Sequence, residues 1–221
     1  MFTDALEVLA EHWELSGRQD QSVGIRRAAS VLKSLSWTIE SLSSTESLPC
    51  VGGRPRRLIQ EILQYGRSSE VEKILADERY QTLKLFTSVF GVGAKTADKW
   101  FQRGLRTLPQ IQTHPGIQLT RMQRHGFLHH QHLCRGLSSD EARAVEALIG
   151  ETVRCVDPNA RITLTGGFRR GKEFGHDVDF IVTTAAAGGE NSLLPLIIAR
   201  LQEQVRAPLM HLHSGRLAAH N

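Results

Sequence analysis

One short stretch restricts the fold of this 221-residue chain more than any other. Residues 166–172 read Gly-Gly-Phe-Arg-Arg-Gly-Lys, and residues 176–180 read His-Asp-Val-Asp-Phe. Just before them, residues 161–165 alternate polar and apolar side chains, which predicts a half-buried strand. Residues 177–182 predict a second strand. The sequence therefore predicts two strands with a glycine-rich, strongly cationic segment between them.

The side chains of this stretch suit a phosphorylated ligand and a metal ion. Asp177 and Asp179 stand at i and i+2 of the predicted strand, so their carboxylates share one face. Two such carboxylates can share Mg²⁺, which prefers oxygen ligands and also binds substrate phosphates. Gly166 and Gly167 allow backbone N–H groups to approach an anion, and the neighbouring cations can meet its charge. These groups predict metal-assisted attack on a nucleoside triphosphate. The alternative, a charged hairpin with solvated aspartates, leaves the clustering unexplained.

Composition limits the class of protein only loosely. Lys and Arg number 27 and Asp and Glu number 23, so the net charge of +4 is compatible with nucleic acid without requiring it. No apolar run is long enough for a membrane span, and the N-terminus lacks a signal-peptide pattern. Cys50, Cys134 and Cys155 are far apart, which argues for a reduced compartment and against a disulfide framework or a zinc knuckle.

Two segments upstream share a pattern of an apolar residue, a tight glycine turn and a helix with basic residues. Residues 48–53 read Leu-Pro-Cys-Val-Gly-Gly and precede apolar residues at helical spacing. Residues 86–93 read Phe-Thr-Ser-Val-Phe-Gly-Val-Gly and precede a second helical pattern. A helix N-terminus offers free N–H groups that can hold a phosphate, and such contacts position a duplex without reading its sequence. The alternative for each copy is a helical hairpin packed for stability.

The motif at 166–180 closely resembles the palm motif of family X DNA polymerases. Its two glycines and the histidine before the first aspartate are similar to the branch that holds DNA polymerase mu and terminal deoxynucleotidyl transferase. Both upstream segments resemble the helix-hairpin-helix motifs of that family. The resemblance implies an α+β multidomain fold, in which all-helical N-terminal helix-hairpin-helix domains precede a partial nucleotidyltransferase palm with a small sheet. The implied domains are a lyase-like helical DNA-binding domain at 1–79, a fingers-type subdomain at 80–135 and a partial palm at 136–221.

The resemblance also implies roles for particular residues. Asp177 and Asp179 would be the catalytic ligands of Mg²⁺ or Mn²⁺. The implied contacts to the incoming triphosphate come from Gly166, Gly167, Arg170, Lys172 and His176.

In the second hairpin the implied roles concern DNA and a monovalent cation, Na⁺ or K⁺. The cation would bridge the protein to a DNA phosphate. The backbone carbonyls implied to hold it belong to Thr87, Val89 and Val92. The implied DNA contacts come from Gly91, Gly93 and Lys95. The first hairpin departs from the family pattern, because Cys50 stands where a glycine is usual.

The sequence leaves three functions open. It favours a template-using DNA polymerase of the mu type, which fills gaps and joins broken ends in non-homologous end joining, because residues 126–130 and 193–204 are more similar to mu. The template-independent terminal transferase shares every motif. The third reading is a non-catalytic DNA-binding fragment, because the family uses a third metal-binding aspartate and the acidic residues after Asp179 are Glu190 and Glu203.

The resemblance further implies partners and a location. The expected ligands are gapped, nicked or broken DNA and deoxynucleoside triphosphates. End-joining factors would bind through an N-terminal domain that these residues do not include, and the C-terminal part of the palm and the thumb are also missing. We expect a monomer in the nucleus, without membrane contact.

Local patterns predict the remaining elements. Residues 2–40 are expected to be helical, and Ser41–Pro49 and Ala185–Gly189 to be loops. The histidine-rich segment 113–134 invites a zinc interpretation, but its spacing favours exposed or half-buried histidines. Ser138 and Glu141 have the spacing of a capping box at the start of a helix. Its expected buried residues are Ala144, Val145, Leu148 and Ile149. A last helix is expected from Ser192 to about Gln204, with inward residues Leu193, Leu196, Ile197 and Leu201.

Overall fold

A computed structural model of the chain describes residues 1–184 and 192–204. The chain divides into two compact units, Met1–His130 and Gln131–Asn221. The first is helical, and the second combines helices with short antiparallel strands, which confirms the predicted α+β class. The division into three domains stays a prediction. No helix in the described ranges is both long and apolar enough to cross a membrane.

The first unit is built from eight helices, and a ninth begins at its last residue. Their bounds are α1 Phe2–Leu15, α2 Gln19–Lys33, α3 Gly53–Tyr65, α4 Ser69–Ala76, α5 Glu78–Thr87, α6 Ala94–Gln102, α7 Leu108–Thr113, α8 Arg121–Leu128 and α9 His130–Cys134. A short 3₁₀ turn, Ser43–Thr45, interrupts the predicted serine-rich loop.

A single hydrophobic cluster holds the first unit together. Leu6 and Leu9 of α1 lie in it, fully buried against α2 and neighbouring helices. Residues 2–40 are helical over most of their length, as predicted, and depart from helix in two places. Gly17 takes a left-handed φ of 76° between α1 and α2, and the chain leaves the helix after Lys33. α1 and α2 therefore pack against each other as a helical hairpin.

After α9, the described residues of the second unit form four short strands and three helical segments. These are β1 Leu137–Ser138, α10 Ser139–Val156, β2 Arg161–Leu164, α11 Gly166–Arg169, β3 Phe174–Gly175, β4 Phe180–Thr183 and a helix, α12, that includes the described residues 192–204. β1 pairs antiparallel with β3, and β2 pairs antiparallel with β4 in the register Ile162 to Val182 and Leu164 to Phe180. The half-buried residues of β2 and β4 alternate with exposed ones, as period-2 burial requires.

The capping box predicted for α10 is present. The Ser138 hydroxyl accepts a hydrogen bond from the Glu141 N–H at 3.2 Å, and the Glu141 carboxylate accepts one from the Ser138 N–H at 2.9 Å. The Ser138 N–H contact is the main cause that lowers the pKa of Glu141. These bonds satisfy amides that the first turn of a helix leaves free, so α10 begins where the sequence predicts.

The predicted inward faces of α10 and α12 were only partly right. Val153, Ala160, Leu193 and Ile197 form the buried cluster, and Ile149 and Leu201 pack against it. Leu148 and Leu196, in contrast, are 51% and 54% exposed, and Ala144 is exposed too. The buried stripe is narrower than the apolar pattern, because β2 and β4 form a sheet of only two strands within the described residues. The predicted loop Ala185–Gly189 lies outside those residues.

The two predicted hairpins share a turn geometry. Cys50 has a φ of 63° and Gly91 has a φ of 85°. Two residues later, Gly52 and Gly93 both take extended conformations and precede α3 and α6. Cys50 therefore adopts the backbone conformation of the glycine it replaces. One difference remains, since α3 begins at Gly53 with a φ of 50°.

We expect Cys50→Gly to stabilise the first unit. A non-glycine residue in the left-handed region is strained, and the larger chain entropy of an unfolded glycine offsets part of the relief, so the net gain should be about 1 kcal/mol. Urea unfolding of both proteins measures the difference. The reverse change, Gly91→Cys, should destabilise the unit, because it introduces the same strained torsion angle and its Cβ would lie 3.0 Å from Cγ of Met122. Unchanged stability in both variants would contradict the role of this torsion angle.

Candidate functional site

Asp179 is held directly against the glycine turn. β2 ends at Leu164, and the Thr165 N–H donates to the Asp179 carbonyl at 2.8 Å, which extends the pairing with β4 by one step. Gly166 follows with a φ of 67°, and a Cβ at this position would lie 2.1 Å from Asp179 Oδ2. The carboxylate therefore occupies the space that a side chain at residue 166 would fill. Only glycine permits this contact at this backbone angle.

Asp177 lies before the strand, not within it. The prediction of a strand over 177–182 was wrong at its start, because β4 begins at Phe180. The partner strand β2 has already turned into α11 at this point, so Asp177 and Val178 have no ladder to join. Asp177 and Asp179 are nevertheless both exposed, and Val178 between them is half-buried. Both carboxylates are therefore open to solvent, and their position on one shared face stays a prediction.

A cationic turn lies between β2 and β4. The Lys172 N–H donates to the Gly167 carbonyl at 3.1 Å, and a Cβ on Gly167 would lie 3.0 Å from Cδ of Lys172. The turn therefore closes on itself. Arg169, Arg170 and Lys172 are exposed, and within the described ranges none of them forms an ion pair. Their charge is available to an anionic ligand.

His176 follows a second strand pair that fixes the other end of the turn. β3 pairs with β1, and the Ser139 N–H donates to the Glu173 carbonyl at 2.9 Å. Gly136 lies next to this pair, since a Cβ on it would lie 3.6 Å from the Gly175 carbonyl oxygen and 4.0 Å from Cε1 of His176. His176 is exposed beside Asp177. The structure thus brings the predicted triphosphate residues into one loop bounded by two strand pairs.

These residues suit a hard divalent cation. Asp177 and Asp179 offer carboxylate oxygens, the donors that Mg²⁺ and Mn²⁺ prefer. The space at Gly166 fixes one of those carboxylates in place. Across the described residues, no group of three or more His, Cys, Asp or Glu side chains is arranged to hold a metal ion. A site formed here would consist of these two carboxylates, completed by oxygen ligands from elsewhere.

The second hairpin presents backbone groups at a tightly packed turn. Val89 and Val92 are buried, and the Val92 N–H donates to the Val89 carbonyl at 3.0 Å. The N–H groups of Thr96 and Ala97 both donate to the Gly93 carbonyl. The two amides before them, those of Ala94 and Lys95, have no carbonyl to bond to within α6, and the side chain of Lys95 is exposed beside them. The remaining residues predicted to contact DNA or the monovalent cation, Thr87, Gly91 and Gly93, lie in the same turn.

Sequence reasoning missed residues that support this hairpin. Lys99 is exposed one helical turn after Lys95, so α6 carries two cations on one face. Gln123 and Gly126, on α8, contact the turn itself. The Gln123 amide donates to the Gly91 carbonyl at 3.1 Å, and a Cβ on Gly126 would lie 2.1 Å from the Phe90 carbonyl oxygen. The spacing of Lys99 from Lys95 was visible in the sequence, whereas the contacts of α8 were not.

The histidine-rich segment does not form a metal centre in the described part of the chain. His125 and His129 are exposed and stack with ring centroids 6.3 Å apart. His130 Nε2 lies 2.8 Å from the Ser88 hydroxyl, and His114 Nδ1 accepts the Gly116 N–H at 3.0 Å. The histidines are exposed or half-buried, as the sequence predicted.

Two domain families match the chain. The fingers domain of DNA polymerase lambda matches residues 84–134, which include the second hairpin and α8. The DNA polymerase beta palm matches residues 137–214, which include the glycine turn and both aspartates. The fold and the site therefore define the fingers and palm of a DNA polymerase.

Curated relatives agree with this class. The chain is 52% identical to the DNA nucleotidylexotransferase of Oncorhynchus mykiss over 85% of its length, and 47% identical to that of Homo sapiens over 92%. It is 45% identical to the DNA-directed DNA/RNA polymerase mu of Homo sapiens over 91%. The chain belongs to the family X DNA polymerases, in the branch of polymerase mu and the terminal transferases. It spans 38%, 40% and 41% of the lengths of these three relatives.

We expect Gly166→Ala to weaken divalent-metal binding as strongly as Asp179→Asn does, because the new Cβ would displace the Asp179 carboxylate. Mn²⁺ binding to the purified chain, followed by electron paramagnetic resonance, measures the effect. Gly171→Ala is the matched control: its φ of 85° is equally unfavourable, but a Cβ there would meet no atom within 4 Å. Equal Mn²⁺ affinity in the Gly166 variant and the wild type would contradict this placement.

Proposed function

We propose that this chain contributes the DNA-binding and triphosphate-binding parts of a mu-type DNA polymerase. Such an enzyme adds nucleotides at gaps and broken ends during non-homologous end joining. The observation that carries the proposal is the close approach of Asp179 to Gly166, which places a carboxylate beside a turn with three cations that form no ion pair within the described residues. Family membership supports it, because both matched domains belong to DNA polymerases.

In this proposal Asp177 and Asp179 hold Mg²⁺ or Mn²⁺. When bound, the metal would neutralise charge on the triphosphate and favour ionisation of the primer 3′-hydroxyl. Arg170, Lys172 and His176 bind the phosphates, and Gly166 and Gly167 keep side chains out of their path. Arg170 and Lys172 are exposed and form no ion pair within the described residues, so they need not break one to bind a phosphate.

The second hairpin supplies the DNA contact. Gly91, Gly93 and Lys95 meet a backbone phosphate, and the carbonyls of Thr87, Val89 and Val92 hold Na⁺ or K⁺ next to it. The packing of Val89 and Val92 supports this role, because a buried turn keeps its carbonyl groups fixed. These contacts carry no sequence information, which suits an enzyme that acts at arbitrary breaks. The proposal includes action as a monomer in the nucleus, where the DNA substrate lies.

A terminal transferase is the second candidate. The identities to DNA nucleotidylexotransferases, 52% and 47%, are slightly higher than the 45% to polymerase mu. Both candidates use the same turn, aspartates and hairpins. The discriminating property is dependence on a template strand. Recruitment by end-joining factors would further support the mu-type function.

The direct test is primer extension by the purified chain with Mg²⁺ and all four deoxynucleotides, on gapped DNA and on single-stranded primer. Extension confined to the gapped substrate supports the mu-type function, and equal extension of both supports the transferase. DNA binding without extension supports a non-catalytic role for this chain, because two carboxylates alone hold the metals weakly. No binding to gapped DNA at low salt, where phosphate contacts are strongest, would contradict the proposal.

We expect Asp177→Asn and Asp179→Asn each to reduce nucleotide addition to well below about a tenth of wild type, in any chain that contains these residues and extends a primer. Each substitution removes a charge that fixes the metal. Initial rates in Mg²⁺ measure the loss, and Asp140→Asn, an exposed aspartate on α10, is the control for net charge. A variant rate above about a tenth of the wild-type rate would contradict the assignment of that aspartate as a metal ligand.

His176→Gly should weaken addition to unpaired ends more than gap filling. The imidazole can donate to a phosphate oxygen, and this contact matters most where no template base positions the nucleotide. The ratio of the two kcat/KM values, measured on gapped DNA and on single-stranded primer, reports the effect. Proportional losses on both substrates would contradict this role for His176.

A further inference from the structure

The peptide group between Gly91 and Val92 is fixed at both ends. Its N–H, which belongs to Val92, donates to the Val89 carbonyl at 3.0 Å. Its carbonyl, which belongs to Gly91, accepts from the Gln123 side-chain amide at 3.1 Å. Gly91 has a φ of 85°, and a glycine can rotate the peptide that follows it at little cost. This peptide therefore has other accessible orientations, and the two hydrogen bonds select one of them.

Gln123 is itself held in place by its own helix. Its Oε1 accepts the Thr120 N–H at 3.0 Å, and its N–H donates to the Thr120 hydroxyl at 3.2 Å, which together form the capping box of α8. A backbone N–H can only donate, so the atom facing it must be the oxygen of the carboxamide. The amide nitrogen is thus the atom that faces Gly91. Gln123 is buried, with 7% of its surface exposed.

The backbone of α8 reaches the turn because residue 126 is glycine. A Cβ at that position would lie 2.1 Å from the Phe90 carbonyl oxygen. The neighbouring Met122 covers Gly91 from the same helix. The turn is therefore seated on α8, and Gln123 makes the polar contact that fixes its orientation.

We infer that Gln123 is a positioning residue for the DNA and cation contacts of the second hairpin. Its carboxamide holds the Gly91–Val92 peptide so that Val92 remains bonded to Val89 and the Gly93 turn presents the first amides of α6 to a phosphate. The inference rests on the proposed function, since it assigns to Gln123 the geometry of that same DNA contact. Gln123 does not touch DNA in this scheme and acts through Gly91.

The capping box makes a selective variant available. Gln123→Glu keeps an oxygen for the Thr120 N–H, because glutamate also occupies this position of capping boxes. The same change removes the donor to Gly91 and places a carboxylate oxygen against the carbonyl. Gln110→Glu is the matched control, since Gln110 occupies the same position in the capping box of α7 and accepts from Arg106 and Thr107. Both variants change net charge equally.

A second pair of variants removes the effect of charge. Gln123→Met keeps an unbranched side chain of similar length without a donor or a charge, and Gln110→Met is its control. Agreement between the glutamate and methionine variants at residue 123 would exclude simple repulsion of DNA by the new carboxylate. Thermal unfolding of each variant selects those that remain folded, and the methionine pair decides the question where the buried glutamate prevents folding.

The assay is fluorescence anisotropy of labelled gapped DNA with the purified 221-residue chain. Salt is varied as KCl, NaCl or tetramethylammonium chloride at equal ionic strength. The wild type and both Gln110 variants should bind more tightly in K⁺ or Na⁺ than in the organic cation, which is too large for a carbonyl site. In the Gln123 variants affinity should fall about tenfold, the preference for the small cation should disappear, and the salt slope should decrease by about 1.

The outcomes separate the two proposals. Absence of DNA binding by the wild type would overturn the proposed function itself. Wild-type binding together with unchanged affinity, cation preference and salt slope in folded Gln123 variants would overturn the role of Gln123 alone. A uniform loss of affinity that keeps the cation preference would also count against positioning, because it would indicate only a general loss of structure.

Discussion

Both candidate sites depend on places where a missing Cβ lets a polar atom approach the backbone. At Gly166 the atom is a carboxylate oxygen of Asp179, and at Gly126 it is the carbonyl oxygen of Phe90, each 2.1 Å from where a Cβ would lie. The first contact places a candidate metal ligand against the glycine turn, and the second seats the turn of the second hairpin on α8. A methyl group at Gly126 would require backbone to move, whereas a methyl group at Gly166 would displace the Asp179 carboxylate.

The hydrophobic cores serve these contacts differently in the two units. The first unit has a continuous cluster that includes Phe86, Val89, Val92 and Trp100, so the turn of the second hairpin lies directly on buried residues. Phe86 and Trp100 meet edge to face at 5.9 Å beneath it. The buried cluster of the second unit is small within the described residues. There the glycine turn relies on backbone pairing, with β1–β3 at one end and β2–β4 at the other.

Features that depend on residues close in sequence could be predicted well. The capping box of Ser138 and Glu141, the strand at 161–164 and both hairpin turns follow from local rules and are present. Features that depend on residues far apart in sequence could not be predicted. Nothing local indicates that Gly126 lies against Phe90 or that Gln123 bonds to Gly91. The start of β4 was misplaced for the same reason, since a strand can begin only where its partner strand is present to pair with it.

The same argument explains why an apolar pattern overestimates burial in this chain. Leu148 and Leu196 have helical spacing and hydrophobic side chains, yet the described sheet is too narrow to cover them. The sequence specifies which residues can be buried, whereas the partner surface decides which of them are. About 60% of an ordinary protein surface is apolar, so exposure of single leucines requires no special cause.

The two hairpins have similar turns but differ in the availability of their cations. In the first, Arg54 pairs with Glu70 and lies 4.9 Å from the centre of the Trp13 ring, and Arg56 pairs with Glu46 at 2.9 Å. In the second, Lys95 and Lys99 are exposed and form no ion pair within the described residues. A phosphate that binds Arg54 or Arg56 must displace a carboxylate, a loss of at most about 1 kcal/mol for each exposed pair, whereas the exposed Arg57 forms no ion pair within the described residues. Arg54 and Arg56 of the first hairpin therefore each carry a competing carboxylate that Lys95 and Lys99 of the second do not, and this is the difference that the similar turns conceal.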